Sequence, residues 1–273
     1  SEITSHTEKH YRENEKKLFA ENAKERVYAN IPKVDLNEAI MDYKEVYRRW
    51  KIETESRLEM NLETETDQYL KIRNNSNKTV SYLVKEFELR KNAEQLKRAS
   101  VAKTGELNMS KIFSYKYNED IFKKVTVMPG GKSHGLVMFL DWSGSMSGHL
   151  ENTMKQLITL VMFCKKVNIP FDVYAFTSES PESYSKRDIK TGDIMMKPFH
   201  LLNIFSSRMS AVEFTYAANV MVDISTSRYS YCRLFAMGGT PLNEAIIAAM
   251  KVVPEFQKKY KLQVVNTVFL TDG

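Results

Sequence analysis

The feature that constrains the fold most is residues 135–140, Gly-Leu-Val-Met-Phe-Leu, a run that is apolar on both faces. A strand with one solvated face alternates polar and apolar side chains, whereas a strand buried on both faces does not. The run therefore predicts a central strand of a parallel sheet. Further elements follow this strand. Apolar residues have helical spacing over 149–167, and strand-like apolar runs lie at 171–176 and 264–270. Strands that alternate with helices predict an α/β domain over 133–273, with a mostly parallel sheet flanked by helices.

The chain before this domain has a different pattern. Apolar side chains recur at helical spacing in 40–50 and in 80–96, the second after a turn-like Asn-Asn-Ser-Asn stretch at 74–77. Residues 1–132 are therefore predicted to form a mainly helical N-terminal region. We place the domain boundary at the Pro-Gly-Gly break of 129–131, which is the clearest break in the chain.

The net charge of +6 comes from a basic segment, residues 71–132, in which basic side chains outnumber acidic ones. This excess predicts either an acidic partner, protein or nucleic acid, or only a solvated helix face. Lysines and aromatic side chains interleave most closely in KIFSYKY, so Lys111, Tyr115 and Tyr117 are candidate partner contacts.

The sequence predicts no membrane-spanning helix, no signal peptide and no cysteine-based metal site. No apolar run approaches the roughly 18 residues of a membrane helix, and the first residues, SEITSHTEKHYRENEKK, do not resemble a signal peptide. Cys164 and Cys232 fit no metal-ligand spacing. These features predict a cytoplasmic protein with reduced thiols.

Three polar clusters follow predicted strands or open a predicted helix. They are Asp-Trp-Ser-Gly-Ser at 141–145, Gly-Gly-Thr-Pro at 238–241 and Thr-Asp-Gly at 271–273. Ligands of parallel α/β sheets bind at the carboxyl ends of the strands, so the three clusters are predicted to meet there. Carboxylate and hydroxyl oxygens suit a hard divalent cation such as Mg²⁺ or Mn²⁺. A mostly neutral ligand set would also leave the metal able to accept a carboxylate from outside.

The three clusters resemble the metal-ion-dependent adhesion site of von Willebrand factor A (VWA) domains. The resemblance implies a Rossmann-like VWA fold for 133–273. It also implies that Ser143, Ser145 and Thr240 ligate the metal directly, and that Asp141 and Asp272 act directly or through water.

The wider stretch GKSHGLVMFLDWSGSM, with KEFELRKNAEQLKRA and YNEDIFKK upstream, is similar to CobT-like cobaltochelatase subunits. This resemblance covers roughly residues 78–273. It implies a partnership with a CobS-like AAA+ ATPase of the MoxR type, in cobalamin biosynthesis or in large bacteriophages. The long acidic tract of the cobalamin subunit is missing, which leaves cobalt insertion open. VWA domains usually continue beyond the Thr-Asp-Gly loop, so the chain is expected to stop inside its domain.

A binding module is the leading hypothesis, and two alternatives stay open. A cation beside Ser143 or Ser145 would suit a hydrolase, but the three clusters contain no histidine to act as a base, so no turnover is expected from the chain alone. His134 and His149 only flank the first cluster. Nucleic-acid binding through the basic segment is the other alternative. Trp142 would either contact a partner or point inward, into the domain.

Overall fold

The computed structural model describes part of the chain, and one compact unit of residues 34–186 and 196–273 contains the elements given below. The residues described are 30–31, 36–54, 66–98, 100–107, 122–127, 133–178, 199–226 and 232–272. The predicted break at 129–131 lies outside them.

A five-stranded sheet forms the centre of this unit, with the strand order β1-β6-β5-β4-β7. Its strands are β1 (Ile40–Met41), β4 (His134–Asp141), β5 (Phe171–Thr177), β6 (His200–Ser206) and β7 (Val264–Leu270). Strands β5, β4 and β7 are parallel, whereas β6 runs antiparallel to β5 and pairs in parallel with β1. The predicted α/β class and mostly parallel sheet are confirmed, and β4 is a largely buried interior strand between β5 and β7.

Helices cover both faces of the sheet. They are α1 (Leu36–Ala39), α2 (Tyr43–Thr54), α3 (Asp67–Arg98), α4 (Leu150–Lys166), α5 (Ala211–Thr226) and α6 (Leu242–Tyr260). The larger core joins one sheet face to α2, α4 and α5, and α3 packs outside α4 and α5. The smaller core joins the other face to α6. No helix in the described ranges combines the length and apolarity needed to cross a bilayer.

Two parts of the N-terminal region differ from the local sequence patterns. Ser100–Leu107 and Phe122–Val127 are not helical but pair as antiparallel strands, β2 and β3. The turn-like stretch at 74–77 continues α3 without interruption. Tertiary packing accounts for the second difference, because Ser76 is buried and its hydroxyl lies 2.7 Å from that of Thr159 on α4.

Strand β6 was not predicted, and a β-bulge explains how it fits. Asp172 opposes Ser206, Val173 opposes Phe205, and Tyr174 opposes Asn203, so Ile204 is an extra residue. The bulge frees the carbonyl of Ile204, which accepts a 2.7 Å hydrogen bond from the buried hydroxyl of Tyr47 on α2. Helix α2 therefore stabilises the irregular part of the sheet.

A buried carboxylate, Asp172, lies near the start of β5, at the edge of the sheet opposite the carboxyl end of β4. Asp172 is 4% exposed, and within the described part of the chain its Oδ1 atom has no hydrogen-bond partner. Burial raises its pKa above the usual 3.8, although Ser206 and Arg208 act in the opposite direction. Because the folded-state pKa is raised, the contribution of this group to stability is fully present below pH 3.8 and is lost as the pH rises through the raised pKa.

We therefore expect Asp172→Asn to increase the free energy of unfolding at pH 7 by about 1–2 kcal/mol. An amide removes the buried charge, and its N–H groups could donate to the unpaired Oδ1 of Asn203. The difference from the parent should shrink towards zero near pH 4. Urea unfolding at both pH values measures it, and a less stable variant at pH 7 would mean that attraction to Arg208 and Lys259 outweighs the cost of burial.

Candidate metal centre

The carboxyl ends of β4 and β7 lie side by side and define the candidate site. The two strands pair in parallel from His134–Val264 to Leu140–Leu270. From β4 the chain passes through α4 to β5 on one side, whereas β7 lies on the other side. Such a switch in direction opens a crevice between the loops that leave the two strands, and ligands of α/β sheets bind there.

Asp141 is the last residue of β4 and forms the floor of the site. It is completely buried, and its Oδ2 atom accepts a 2.8 Å hydrogen bond from the hydroxyl of Thr271. Its Oδ1 atom is buried and has no hydrogen-bond partner among the residues that the structure describes. Burial raises the pKa of Asp141, while the hydrogen bond from Thr271 and the nearby hydroxyl of Ser143 act in the opposite direction. A buried carboxylate oxygen without a donor is costly, and a cation would remove that cost.

A chain of hydroxyls and a second carboxylate leads from this floor to solvent. The hydroxyl oxygens of Ser143 and Ser145 lie 3.0 Å apart, and Ser145 donates a 3.2 Å hydrogen bond to Oδ1 of Asp272. Ser143 is buried, whereas Ser145 and Asp272 are exposed. The predicted ligands from the first and third clusters are therefore close together, with an open side towards solvent.

The second cluster contacts the first through the backbone of its glycines. Ser143 pairs with Gly238 in an isolated parallel bridge, and the N–H of Gly144 donates to the carbonyl of Gly238 at 3.0 Å. Thr240 follows in the same loop and is exposed. The loop is thus held beside the first cluster by its backbone, and Thr240 lies at its outer end, just before α6.

Ser178 is a residue of this edge that the sequence analysis missed. It follows β5, and its hydroxyl accepts a 2.8 Å hydrogen bond from the N–H of Gly239. A Cβ atom on Gly239 would lie 3.2 Å from the same hydroxyl, so the glycine permits the close approach. The sequence could have indicated Ser178, because it follows a predicted parallel strand and the carboxyl ends of parallel strands lie at one edge of the sheet.

Oxygen atoms dominate this edge, which suits Mg²⁺ or Mn²⁺ rather than a softer metal. In the part of the chain that the structure describes, no three His, Cys, Asp or Glu side chains gather in one place. The candidate centre instead combines two carboxylates with hydroxyls. Comparison with protein families, with curated proteins and with solved structures found no match.

Of the two roles left open for Trp142, the structure supports the inward one. The side chain is completely buried, and its Nε1 atom donates a 2.9 Å hydrogen bond to the carbonyl of Phe235. Trp142 therefore anchors the first cluster to the core and does not form part of the surface. The other candidate partner contacts, Lys111, Tyr115 and Tyr117, lie outside the described residues.

The flanking histidines lie apart from the floor of the site. His134 begins β4, at the opposite end of the strand from Asp141. His149 is exposed and precedes α4, where its carbonyl accepts hydrogen bonds from Thr153. Neither residue has a hydrogen bond to Ser143 or Ser145 that would suit a general base.

Proposed function

We propose that this edge binds Mg²⁺ or Mn²⁺ and that the chain is a VWA-type binding module. The observation that carries the proposal is the Oδ1 atom of Asp141, which is buried and has no hydrogen-bond partner among the described residues. It lies where β4 and β7 end, close to the hydroxyls of Ser143 and Ser145. A divalent cation would neutralise this carboxylate and use the oxygens around it. The residues that would hold the ion are Asp141, Ser143, Ser145, Thr240 and Asp272.

The composition of this ligand set supports a role in protein binding. Only two of the five proposed ligands are carboxylates, so the ion would keep electrophilic character and accept an Asp or Glu from a partner protein. Ser145, Thr240 and Asp272 are exposed, which gives such a side chain access. The metal would supply the charge that holds the partner, and the chain's hydroxyls would orient it.

At the level of the assembly, we propose a CobT-like adaptor subunit that works with a CobS-like AAA+ ATPase of the MoxR type. The ATPase would supply the work in an ATP-driven remodelling or chelatase-like complex, and the adaptor alone would have no turnover. A second contact with the ATPase would come from the N-terminal region, where Ile52 on α2 and Tyr82 and Leu89 on α3 are large apolar side chains exposed to solvent.

Affinity purification of the full chain from its native host tests this proposal. We expect an AAA+ ATPase to copurify in Mg²⁺ and to be reduced at least several-fold in EDTA and in Asp141→Asn. Asp172→Asn provides a matched control, since it removes a buried aspartate at the opposite edge of the sheet. Recovery of nucleic acid without an AAA+ protein, unchanged by EDTA, would refute the adaptor and favour binding through the basic segment.

A further inference from the structure

The loop that leads to Thr240 is fixed at its start by helix α2, which lies far from it in sequence. The N–H of Arg233 donates a 2.8 Å hydrogen bond to the Glu53 carboxylate at the end of α2. The thiol of Cys232 also hydrogen-bonds Glu53, and burial raises its pKa to about 12. One carboxylate of the N-terminal region therefore binds two successive residues of the loop.

Aromatic packing continues this connection towards the site. The ring of Phe235 lies 5.7 Å from that of Trp50 on α2 and 5.5 Å from that of Trp142, edge to face in both pairs. All three side chains are completely buried. Close-packed rings of this kind transmit displacement, because the core has few voids in which to absorb it.

The same loop then reaches the first cluster. Between Arg233 and Ala236 it forms a short 3₁₀ turn, and Gly238 follows, paired with Ser143 and Gly144. Hydrogen bonds and packed rings therefore connect the end of α2 to the backbone of Ser143 and Gly144. None of these α2 residues is among the proposed metal ligands.

We propose that Glu53 and Trp50 are positioning residues for the metal centre. Helix α2 would hold the 232–240 loop in the position that places Thr240 beside the other proposed ligands and pairs Gly238 with the first cluster. The N-terminal region would thus set the metal affinity without contacting the ion. This inference rests on the proposed metal site. Groups that hydrogen-bond a metal ligand typically change metal affinity by about 10–100-fold when they are removed, and Glu53 acts one layer further out, so the lower end of that range is expected.

Calorimetric titration with MgCl₂ and MnCl₂ tests the role of Glu53. We expect Glu53→Ala to weaken binding about 10-fold. Glu53→Gln keeps an acceptor oxygen for the Arg233 N–H and should stay within about twofold of the parent. Glu45→Ala is the matched control, because Glu45 is on the same helix but pairs only with Arg48 and Arg49 in the contacts described.

The donor side of the same hydrogen bond gives an independent variant. Arg233→Pro removes the N–H, and the extended backbone of Cys232 (φ −114°, ψ 126°) suits a residue before proline. Arg233→Ala keeps the N–H and should bind metal like the parent. In the double variant Glu53→Ala/Arg233→Pro, the loss should be no greater than in either single variant, because both remove one interaction.

Tryptophan fluorescence supplies a second readout, since the chain has only two tryptophans and both contact Phe235. Metal should change the emission of the parent, and Glu53→Ala should need about 10-fold more metal for the same change. If the parent binds no metal, the proposed function fails. If the parent binds metal and both Glu53→Ala and Arg233→Pro bind it equally well, the metal site stands and the positioning role is wrong. Should Glu53→Ala fail to fold, Arg233→Pro decides alone.

Discussion

Asp141→Asn is expected to weaken Mg²⁺ and Mn²⁺ binding by more than about 100-fold, because it removes the only buried charge proposed to contact the ion. The substitution preserves the size of the side chain and leaves an acceptor for the Thr271 hydroxyl. The metal-free variant should therefore be at least as stable as the parent. Since burial already raises the pKa of Asp141, removing its charge should stabilise the metal-free protein by about 1 kcal/mol.

Urea unfolding with and without metal measures both the loss of metal binding and the stability of the metal-free variant. At a free metal concentration 100 times the dissociation constant, the parent should gain about 2.7 kcal/mol over its value in EDTA. Asp141→Asn should gain almost nothing under the same conditions. Metal should stabilise Asp172→Asn as much as the parent, although Asp172, like Asp141, is a buried aspartate whose Oδ1 atom has no partner among the described residues. An equal gain in Asp141→Asn and the parent would place the ion elsewhere.

The central part of the fold was predictable because its signals are local. The run at 135–140 is apolar on both faces and lies in an interior strand of the sheet, and the strand predicted at 264–270 has those bounds in the structure. Strand β6 gave no such signal. His200, Asn203 and Ser206 interrupt its apolar pattern, yet all three are buried in the sheet.

The proximity of the first and third clusters was predictable from the sequence, but the contacts that support their loops were not. Asp141, Ser143, Ser145 and Asp272 come together because parallel strands end at one edge, which follows from the α/β pattern alone. The contacts that hold the loops come from residues distant in sequence. A hydrogen bond between Glu53 and Arg233 or an aromatic contact between Trp50 and Phe235 leaves no trace in local periodicity.

Trp142→Ala is expected to lower the free energy of unfolding by about 3–5 kcal/mol. The indole is completely buried between the first cluster and the 3₁₀ turn at Phe235, so its removal leaves a cavity and an unpaired carbonyl. Trp142→Phe keeps a ring against Phe235 and should cost less, about 1–2 kcal/mol.

Tyr82→Ala is the control for this measurement, because the side chain is 63% exposed and its loss should change stability by less than about 0.5 kcal/mol. Urea unfolding in EDTA separates the packing contribution from metal binding. Since Trp142 lies between Asp141 and Ser143, the folded fraction of Trp142→Ala should also bind metal more weakly. If Trp142→Ala costs no more than Tyr82→Ala, the indole is not a core anchor, and the other predicted role, contact with a partner at the metal site, regains support.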